Sequence, residues 1–389
     1  MARIVAGIIA GLQMISGVEL RMKSSRHLSI CIPQYNRTAF LIEACRSLAM
    51  QTFQDFEVCI SDDRSTDGRE QELLDFLEHS SLSFIYRKLE TNSRYDANLR
   101  ASLSLASGKY CFLLGNDDCL ASPTVLEELA ADLERLGPAG VVMTNYEDFA
   151  TGAAAERVRH TEVVGAGPAA AAASFRNFSF VSGIVLDRER ALAHATARWD
   201  GSEMYQMYLG CRIIAEGGRL LNIRRVTVRK DIQLPGERVD SYALKPRIAR
   251  CPVTERRLPM NQIGRLVIDA IAPYQAPQRL LERVVMQLLL FTYPFWIVEY
   301  RRIQSWRYAL GICIGMRPRN LLEGVPISRA GKLRLGILYS AVSCAGLLVP
   351  IRAFRAAQAR LYSFAKSVTA GGARFSVPRR TAARRVGAN

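Results

Sequence analysis

Short apolar runs alternate with amphipathic segments from residue 28 onwards. Runs with the length of buried strands lie at residues 28–32, 56–61, 82–87, 110–114 and 140–144. The segments between them place apolar side chains at helical spacing, at residues 38–50, 68–79, 96–106 and 122–136. This regular alternation predicts an α/β domain with a mainly parallel sheet and helices on both faces.

Local sequence also predicts finer features of this domain. Thr38 is expected to cap the first helix, and Ser122 the fourth, with Pro123 at its first helical position. Residues 151–173 are rich in alanine and glycine, which predicts a linker or a mobile loop. Regular structure is expected to resume with a strand over residues 181–186.

The positive charge of the chain is concentrated in its last part. Residues 1–240 carry 27 basic and 31 acidic side chains, whereas residues 241–389 carry 25 basic and 5 acidic ones. A segment with this imbalance needs an anionic neighbour, such as a membrane surface or a phosphorylated substrate. The expected organisation is an apolar N-terminal extension, the α/β domain, a basic α-helical region and a basic, disordered tail, at residues 1–27, 28–240, 241–370 and 371–389.

Two apolar blocks lie within the basic region, at residues 284–298 and 335–351. Each is near or below the roughly 20 residues that a membrane-spanning helix needs. These blocks are therefore expected to attach the protein peripherally or monotopically to an anionic membrane surface. Alternatively, they form the core of an all-α accessory domain, or they span the membrane. The basic residues are spread among apolar blocks without an RNA-binding motif, so nucleic acid is not an expected partner.

The N-terminal extension has an uncharged, mostly apolar stretch at residues 4–18. It has the length of a signal-peptide core and is too short to span a membrane comfortably. Three interpretations are open. The stretch forms a helix that lies in the membrane surface, it is not translated because translation begins at Met22, or it is a cleaved signal peptide, which is the least favoured. The nine cysteines are odd in number and include no CxxC pair, which favours a reducing, cytosol-facing location.

Polar residues follow three of the predicted strands, at residues 34–37, 62–63 and 116–118. Ligands of open parallel sheets bind beyond the carboxyl ends of the strands, so these three clusters should converge in space. Adjacent carboxylates such as Asp117 and Asp118 repel each other unless a cation lies near them, and Mg²⁺ or Mn²⁺ shared with phosphate oxygens would satisfy them. The alternative is that such Asp pairs are turn residues and helix caps.

Three ordered motifs resemble those of family 2 glycosyltransferases. The segment SICIPQYNR at 29–37 resembles the S-I-I-P-T-Y-N-R opening of the family, QTFQDFEVCISDDRSTDG at 51–68 resembles its D-D-G-S-T-D-G segment, and ASGKYCFLLGNDD at 106–118 resembles its A-x-G-x-Y…D-D-D segment. The segment ETNSRYDANL at 90–99 is similar to the branch that contains O-antigen sugar transferases such as abequosyltransferases.

The resemblance implies a GT-A fold that binds a nucleotide-sugar donor and Mg²⁺ or Mn²⁺. The residues that it assigns to the donor are Pro33, Tyr35, Asn36, Arg37, Asp62, Asp63, Arg94, Asn98, Asn116 and Asp117. The cation would be held by Asp117 and Asp118, with Asp118 nearest to it. The catalytic base would be Glu203 or Asp200, and Glu203 is favoured; its alternative role is to complement the dipole of the helix that follows.

The implied function is that of a metal-dependent, inverting glycosyltransferase at the cytosolic face of the plasma (inner) membrane. It would add a sugar to a lipid-linked or polysaccharide acceptor in cell-envelope or O-antigen-type glycan synthesis. The sequence departs from the family at Gln34, Arg64 and Asn116, which leaves the identity of the donor open. The rival functions are a nucleotidyltransferase with a related α/β domain and a catalytically degenerate transferase that serves as a membrane scaffold.

Overall fold

The computed structural model describes residues 27–237, 259–303, 305–357 and 360. The apolar stretch at 4–18, the domain boundary expected at 240 and the basic tail at 371–389 lie outside the described residues. Within them, ten strands form one sheet. The strands are β1 (Leu28–Gln34), β2 (Phe56–Asp62), β3 (Phe84–Lys88), β4 (Tyr110–Leu113), β5 (Cys119–Leu120), β6 (Val141–Asp148), β7 (Ala154–Ala155), β8 (Glu162–Gly165), β9 (Ile184–Asp187) and β10 (Leu220–Lys230).

Helices surround the sheet and make up most of the region after it. In the N-terminal part they are α1 (Thr38–Ala49), α2 (Glu70–His79), α3 (Arg94–Ser104), α4 (Val125–Leu136), α5 (Pro168–Ser174), α6 (Arg188–Ala193) and α7 (Tyr205–Glu216). In the C-terminal part they are α8 (Pro259–Ile271), α9 (Gln278–Phe291), α10 (Tyr293–Ile303), α11 (Trp306–Gly315), α12 (Pro318–Leu321) and α13 (Arg329–Leu348).

The sheet has the strand order β3-β2-β1-β4-β9-β6-β10-β5. Strands β1 to β4 are parallel neighbours, as are β6 and β10, and the register of β1 and β2 places Gln34 opposite Asp62. Apolar side chains of α1, α2 and α4 pack in a cluster with one face of the sheet, and those of α3, α5 and α7 pack with the other face. The predicted α/β architecture is therefore confirmed.

Strands β9 and β10 differ from the sequence-based expectation. Strand β9 lies between β4 and β6 and is antiparallel to both, so the sheet is mixed. Strand β10 was not predicted at all. Its register against β6 shifts between Ile223 and Val226 and again before Val228, and these irregularities disrupt the two-residue alternation that marks a strand.

The alanine-rich segment at 151–173 is not a linker, and that expectation was wrong. Strand β7 pairs with β6, strand β8 pairs with β10, and α5 packs against α7. The side chains of Ala170 and Ala171 are buried in the core. Small side chains allow close packing of helices, so the composition that suggested a flexible segment instead builds a tight contact.

The expected helix caps were also wrong. Arg37 precedes α1 in a left-handed conformation, while the Thr38 backbone N–H donates to Asp67 Oδ2 at 2.9 Å. Helix α4 begins only at Val125, after a capping residue that makes no side-chain hydrogen bond. The loops before both helices are held by contacts with residues distant in sequence, and these contacts override the local capping preference.

The C-terminal helices share one apolar core with the sheet. The core cluster that contains Leu113 and Met143 of the sheet extends to Leu266 in α8 and Leu288 in α9. A polar contact crosses the same junction, because Asp269 Oδ2 accepts a hydrogen bond of 3.0 Å from Trp199 Nε1. The basic region therefore packs on helices α5 and α7, which cover one face of the sheet.

One helical stretch in this region has the length and composition of a membrane span. Helices α9 and α10 continue into each other over 25 residues, Gln278–Arg302, and half of the most apolar stretch is buried inside the protein. A second apolar helix, α13, is followed by Ile351–Ala357 after a bend of 110°. The apolar block at 284–298 thus contributes to a protein core, as the all-α alternative supposed.

Candidate functional site

Three loops meet beyond the carboxyl ends of β1, β2 and β4. Gln34 Oε1, at the end of β1, accepts a hydrogen bond of 2.7 Å from Asn116 Nδ2, which follows β4. On the β2 side, Ser65 Oγ accepts a hydrogen bond of 2.8 Å from the backbone N–H of Asn36. The polar clusters that are far apart in sequence are therefore in direct contact.

The side chains of Asp62 and Asp63 are buried, and their oxygens accept hydrogen bonds from the protein. Asp62 Oδ1 accepts from the Ser65 backbone N–H at 2.6 Å. Asp63 accepts from the Ser93 backbone N–H at 2.6 Å and from the Arg94 backbone N–H at 2.8 Å. Both carboxylates thus order turns around the site, as the turn interpretation supposed, and a contact with the nucleotide stays a prediction.

The other residues assigned to the donor differ in their access to solvent. Pro33 is buried inside β1, whereas Tyr35, two residues later, is 46% exposed. Asn98 on α3 is buried, and its Nδ2 donates to the Gln34 carbonyl oxygen at 2.9 Å. Tyr35 can therefore contact a ligand directly, whereas Pro33 and Asn98 shape the end of β1.

The acidic motif after β4 contains two carboxylates in different environments. Asp117 pairs with Arg37. Asp118 is buried; the Ser182 hydroxyl donates to its Oδ2, and the Asp231 backbone N–H donates to its Oδ1 at 3.0 Å. Burial, and then the negative charge of Asp117, raise the pKa of Asp118 to about 7.

Space beside these carboxylates is kept by a glycine. A β-carbon on Gly115 would lie 2.9 Å from Asp118 Oδ2 and 3.3 Å from Asp117 Oδ1. Hard oxygen ligands suit Mg²⁺ or Mn²⁺, and Mg²⁺ usually binds through one or two carboxylates together with substrate phosphates. No group of three or more His, Cys, Asp or Glu side chains suited to a metal occurs in the described part of the chain. The residues therefore fit a cation that the phosphates of a ligand help to hold.

Arg157 borders the site, although no motif in the sequence points to it. Its Nη2 donates to the carbonyl oxygens of Phe180 at 3.0 Å and Ser182 at 2.9 Å. Its guanidinium carbon lies 5.2 Å from the ring centroid of Tyr146. Burial lowers the pKa of Arg157 to about 10, so the side chain stays charged at neutral pH. Because Ser182 also binds the acidic motif, Arg157 fixes one wall of the site.

A second buried carboxylate, Asp96 on α3, organises the segment before α7. Its oxygens accept hydrogen bonds from the backbone N–H groups of Gly201 and Glu203, both at 2.8 Å, and of Tyr205 at 3.0 Å. Helix α3 begins at Arg94, whose N–H is bound by Asp63. The first turn of α3 therefore connects the end of β2 to the segment that carries Glu203.

The two candidate bases have different surroundings. Both oxygens of Asp200 are bound by the Arg100 guanidinium, at 2.6 and 2.8 Å. Glu203 has a left-handed backbone conformation, with φ of 58°, which its N–H bond to Asp96 helps to hold. The choice between Glu203 and Asp200 as the base stays a prediction.

Left-handed backbone conformations are concentrated around this site. Seven non-glycine residues have φ between 52° and 67° in the described ranges. Six of them belong to the loops and segments described above: Asn36, Arg37, Arg64, Arg94, Glu203 and Asp231. Such conformations cost of order 1–3 kcal/mol each and persist where surrounding contacts enforce them, which is typical of functional sites.

Replacing Asp96 by alanine is expected to lower the free energy of unfolding by about 2–4 kcal/mol, because three backbone N–H groups lose their acceptor. Burial raises the pKa of Asp96 from 3.8 to about 6 despite these bonds. The folded state therefore takes up a proton more readily than the unfolded state, and the stability of the wild type falls as the pH rises through this range.

Urea unfolding at several pH values checks both statements. The variant should be less stable and should lose that part of the pH slope. Asp75→Ala, which removes an exposed carboxylate on α2, serves as the control and should behave like the wild type. Equal stability of Asp96→Ala and the wild type would contradict the role assigned to Asp96.

The part of the chain that builds this site matches a known family. Residues 29–191 match the family model described as Glycosyl transferase family 2. Over 100 residues, 25% of this chain, the sequence is 42% identical to abequosyltransferase RfbV of Salmonella typhimurium. Over 95 residues, 24% of this chain, it is 28% identical to the GalNAc(5)-diNAcBac-PP-undecaprenol beta-1,3-glucosyltransferase of Campylobacter jejuni. The chain spans only 30% and 31% of the lengths of these two relatives.

The fold is also similar to that of a solved structure. The crystal structure of S. aureus TarS 1–349 in complex with UDP-GlcNAc superposes with a TM-score of 0.57 and 15% sequence identity. The superposition covers 82% of this chain and 91% of that chain. It therefore includes helices of the basic region as well as the sheet. At this level of identity the likeness concerns the fold alone.

Proposed function

Because residues 29–191 are a family 2 glycosyltransferase domain, we propose that this protein transfers a sugar from a nucleotide-sugar donor to an acceptor hydroxyl of a cell-envelope glycan. The observation that supports this most directly is the junction of the β1, β2 and β4 loops. There, Asn116, Asp117 and Asp118 lie beside Gln34 and Arg37 at the ligand-binding edge of a parallel sheet.

The donor would bind with its diphosphate at the acidic motif. Asp117 and Asp118 would hold Mg²⁺ or Mn²⁺ together with phosphate oxygens, and the cation would neutralise the charge that develops on the departing diphosphate. Arg37 orients Asp117 through their ion pair. The exposed ring of Tyr35 is available to the nucleotide.

The acceptor would react on the opposite side of the sugar. Its hydroxyl oxygen would attack the anomeric carbon while the bond to the diphosphate breaks, which inverts the configuration at that carbon. Glu203 would take the hydroxyl proton onto its carboxylate. Its rigid backbone conformation, enforced through Asp96, supports this role because a base must be held close to the proton that it accepts.

We assign the acceptor to the lipid-linked or polysaccharide class and the reaction to the cytosolic face of the plasma (inner) membrane. The name of the Campylobacter relative specifies a glycan on diphospho-undecaprenol. A lipid-linked diphosphate is anionic, and the 25 basic against 5 acidic residues at 241–389 suit such an acceptor and the membrane that holds it.

The proposal is tested by a thermal-shift panel of UDP, GDP, CDP and dTDP, with and without Mn²⁺, followed by hydrolysis and transfer assays with sugars of the stabilising nucleotide. One nucleoside diphosphate is expected to stabilise the protein more strongly with Mn²⁺ present, since a ligand that binds only the folded state raises the melting temperature. If no nucleotide shifts the wild type, the transferase function is contradicted. Release of pyrophosphate instead of a nucleoside diphosphate would indicate a nucleotidyltransferase.

A further inference from the structure

Helix α13 is apolar on two opposite sides, but among the residues that the structure describes only one of these sides is packed. On the packed side, Leu335 is buried and the Ser343 hydroxyl lies 2.8 Å from Tyr293 Oη. On the other side, Leu333 is 66% exposed, Ile337 64% and Leu348 75%. A helix that is apolar on opposite sides is normally covered on both, and the exposed side of α13 has no partner within the described part of the chain.

The exposed residues form one continuous stripe. Positions 333, 337, 344 and 348 fall on the same helical face, and the exposed Cys344 lies between Ile337 and Leu348. Trp306 extends the stripe at its C-terminal end, where its exposed indole donates to the Leu347 carbonyl oxygen at 3.4 Å. Tryptophan with an apolar ring and a polar N–H is enriched at membrane–water interfaces.

Cationic side chains lie at both ends of the stripe. Arg329 and Lys332 are exposed near the start of α13, and Arg352 and Arg355 are exposed just after its end. No charged residue occurs between Arg334 and Arg352. An apolar strip with a positive charge at each end matches the acyl-chain and headgroup layers of an anionic lipid surface.

The same charges disfavour a second copy of this chain as the partner. Two α13 helices packed through their stripes would bring cationic ends together in either the parallel or the antiparallel orientation, which costs free energy. Crossing the bilayer is disfavoured too. The uncharged part of α13, residues 335–348, is about 21 Å long against a hydrocarbon core of roughly 30 Å, and one side of the helix packs on protein.

We propose that the exposed stripe of α13, with Trp306 and the flanking arginines, lies in the headgroup region of an anionic membrane and anchors the protein there. The bend of 110° between α13 and Ile351–Ala357 places the second cationic pair on a separate short helix. This inference rests on the proposed function only in that the proposed acceptor lies at a membrane. The stripe itself is defined by the exposure of its apolar side chains and by the cationic residues at its ends.

Flotation of the full chain with vesicles tests this anchor. The wild type should float with phosphatidylcholine vesicles that contain phosphatidylglycerol and much less with phosphatidylcholine alone. The double variant Leu333→Glu/Ile337→Glu should lower the partition coefficient by roughly tenfold or more, because two apolar contacts become negative charges. Arg352→Glu/Arg355→Glu should lower it on anionic vesicles only.

Met50→Glu/Val163→Glu is the matched control, because it adds the same charges at exposed apolar positions of the sheet domain; its flotation should equal that of the wild type. The proposal is overturned if Leu333→Glu/Ile337→Glu floats like the wild type, or if it only converts a dimer to a monomer. The nucleotide-induced thermal shift, measured on the same variants, is expected to stay unchanged. That readout separates a failed anchor from a failed transferase assignment.

Discussion

Asp118→Asn is expected to remove the part of nucleotide binding that depends on Mn²⁺. At a ligand concentration a hundred times Kd, the wild type should gain about 2.7 kcal/mol of stability, and the variant should lose most of that gain. Transfer activity should fall by roughly 10²-fold or more, since the charge on the departing diphosphate is no longer neutralised by a held cation. Asparagine keeps the shape of the side chain and an acceptor for the Asp231 N–H.

The control is Asp132→Asn, another buried carboxylate, which lies on α4 and pairs with Arg135 and Arg225. It can lower stability but should leave the Mn²⁺-dependent shift intact. If Asp118→Asn retains the full shift, the cation does not bind at Asp118. If Asp132→Asn loses the shift as well, the effect is a general loss of folding.

The same site sets the sign of the pH dependence. Asp118 must lose its proton to bind a cation, and its pKa of about 7 means that metal affinity should fall by about tenfold per pH unit below 7. In the metal-free protein the sign is opposite. The raised pKa means that the folded state holds the proton more tightly than the unfolded state, so the free energy of unfolding falls as the pH rises from about 4 to 7.

Glu203→Gln is expected to lower kcat by about 10²- to 10⁴-fold and to leave nucleotide binding unchanged, because it removes the proton acceptor and keeps the donor site. The substitution is nearly isosteric and retains the backbone N–H that binds Asp96. Single-turnover transfer measures the chemical step, and the thermal shift with nucleotide and Mn²⁺ measures donor binding on the same sample.

Asp200→Asn is the matched comparison, because it changes a carboxylate three positions earlier in the same segment. Removing the Asp200 carboxylate breaks the bidentate ion pair with Arg100 and should lower the free energy of unfolding. Its effect on kcat should be much smaller than that of Glu203→Gln. The reverse order, with Asp200→Asn inactive and Glu203→Gln active, would make Asp200 the base. Loss of donor binding in Glu203→Gln would instead assign that residue to the donor.

Much of the site's frame was predictable from sequence, because it depends on local periodicity and on one topological rule. Apolar runs of strand length and helical spacing give the order of β1 to β4 and α1 to α4. Parallel strands joined by helices place their carboxyl ends at one edge, so the loops after β1, β2 and β4 had to meet. The motifs in those loops resemble those of the family whose model matches residues 29–191.

Contacts that join distant residues could not be predicted in this way. Asp96 binds Glu203 across 107 positions, and Ser182 binds Asp118 across 64. Neither pair has a periodic signature, because the partners are chosen by how helices and strands pack. The insertion of β9 between β4 and β6 depends on the same packing, and so does the folding of 151–173 into the sheet.

The sequence by itself determined that this protein has a mainly parallel α/β domain, three converging polar loops and a cationic C-terminal region. These features follow from the order of the residues. Periodic apolar positions indicate which side chains are buried, and charged residues can be counted, without any knowledge of contacts. Only the tertiary structure decided that Arg157 and Asp96 support the site and which side of α13 is exposed. Those properties arise from packing between residues far apart in the chain, where each side chain's role depends on its neighbours in space.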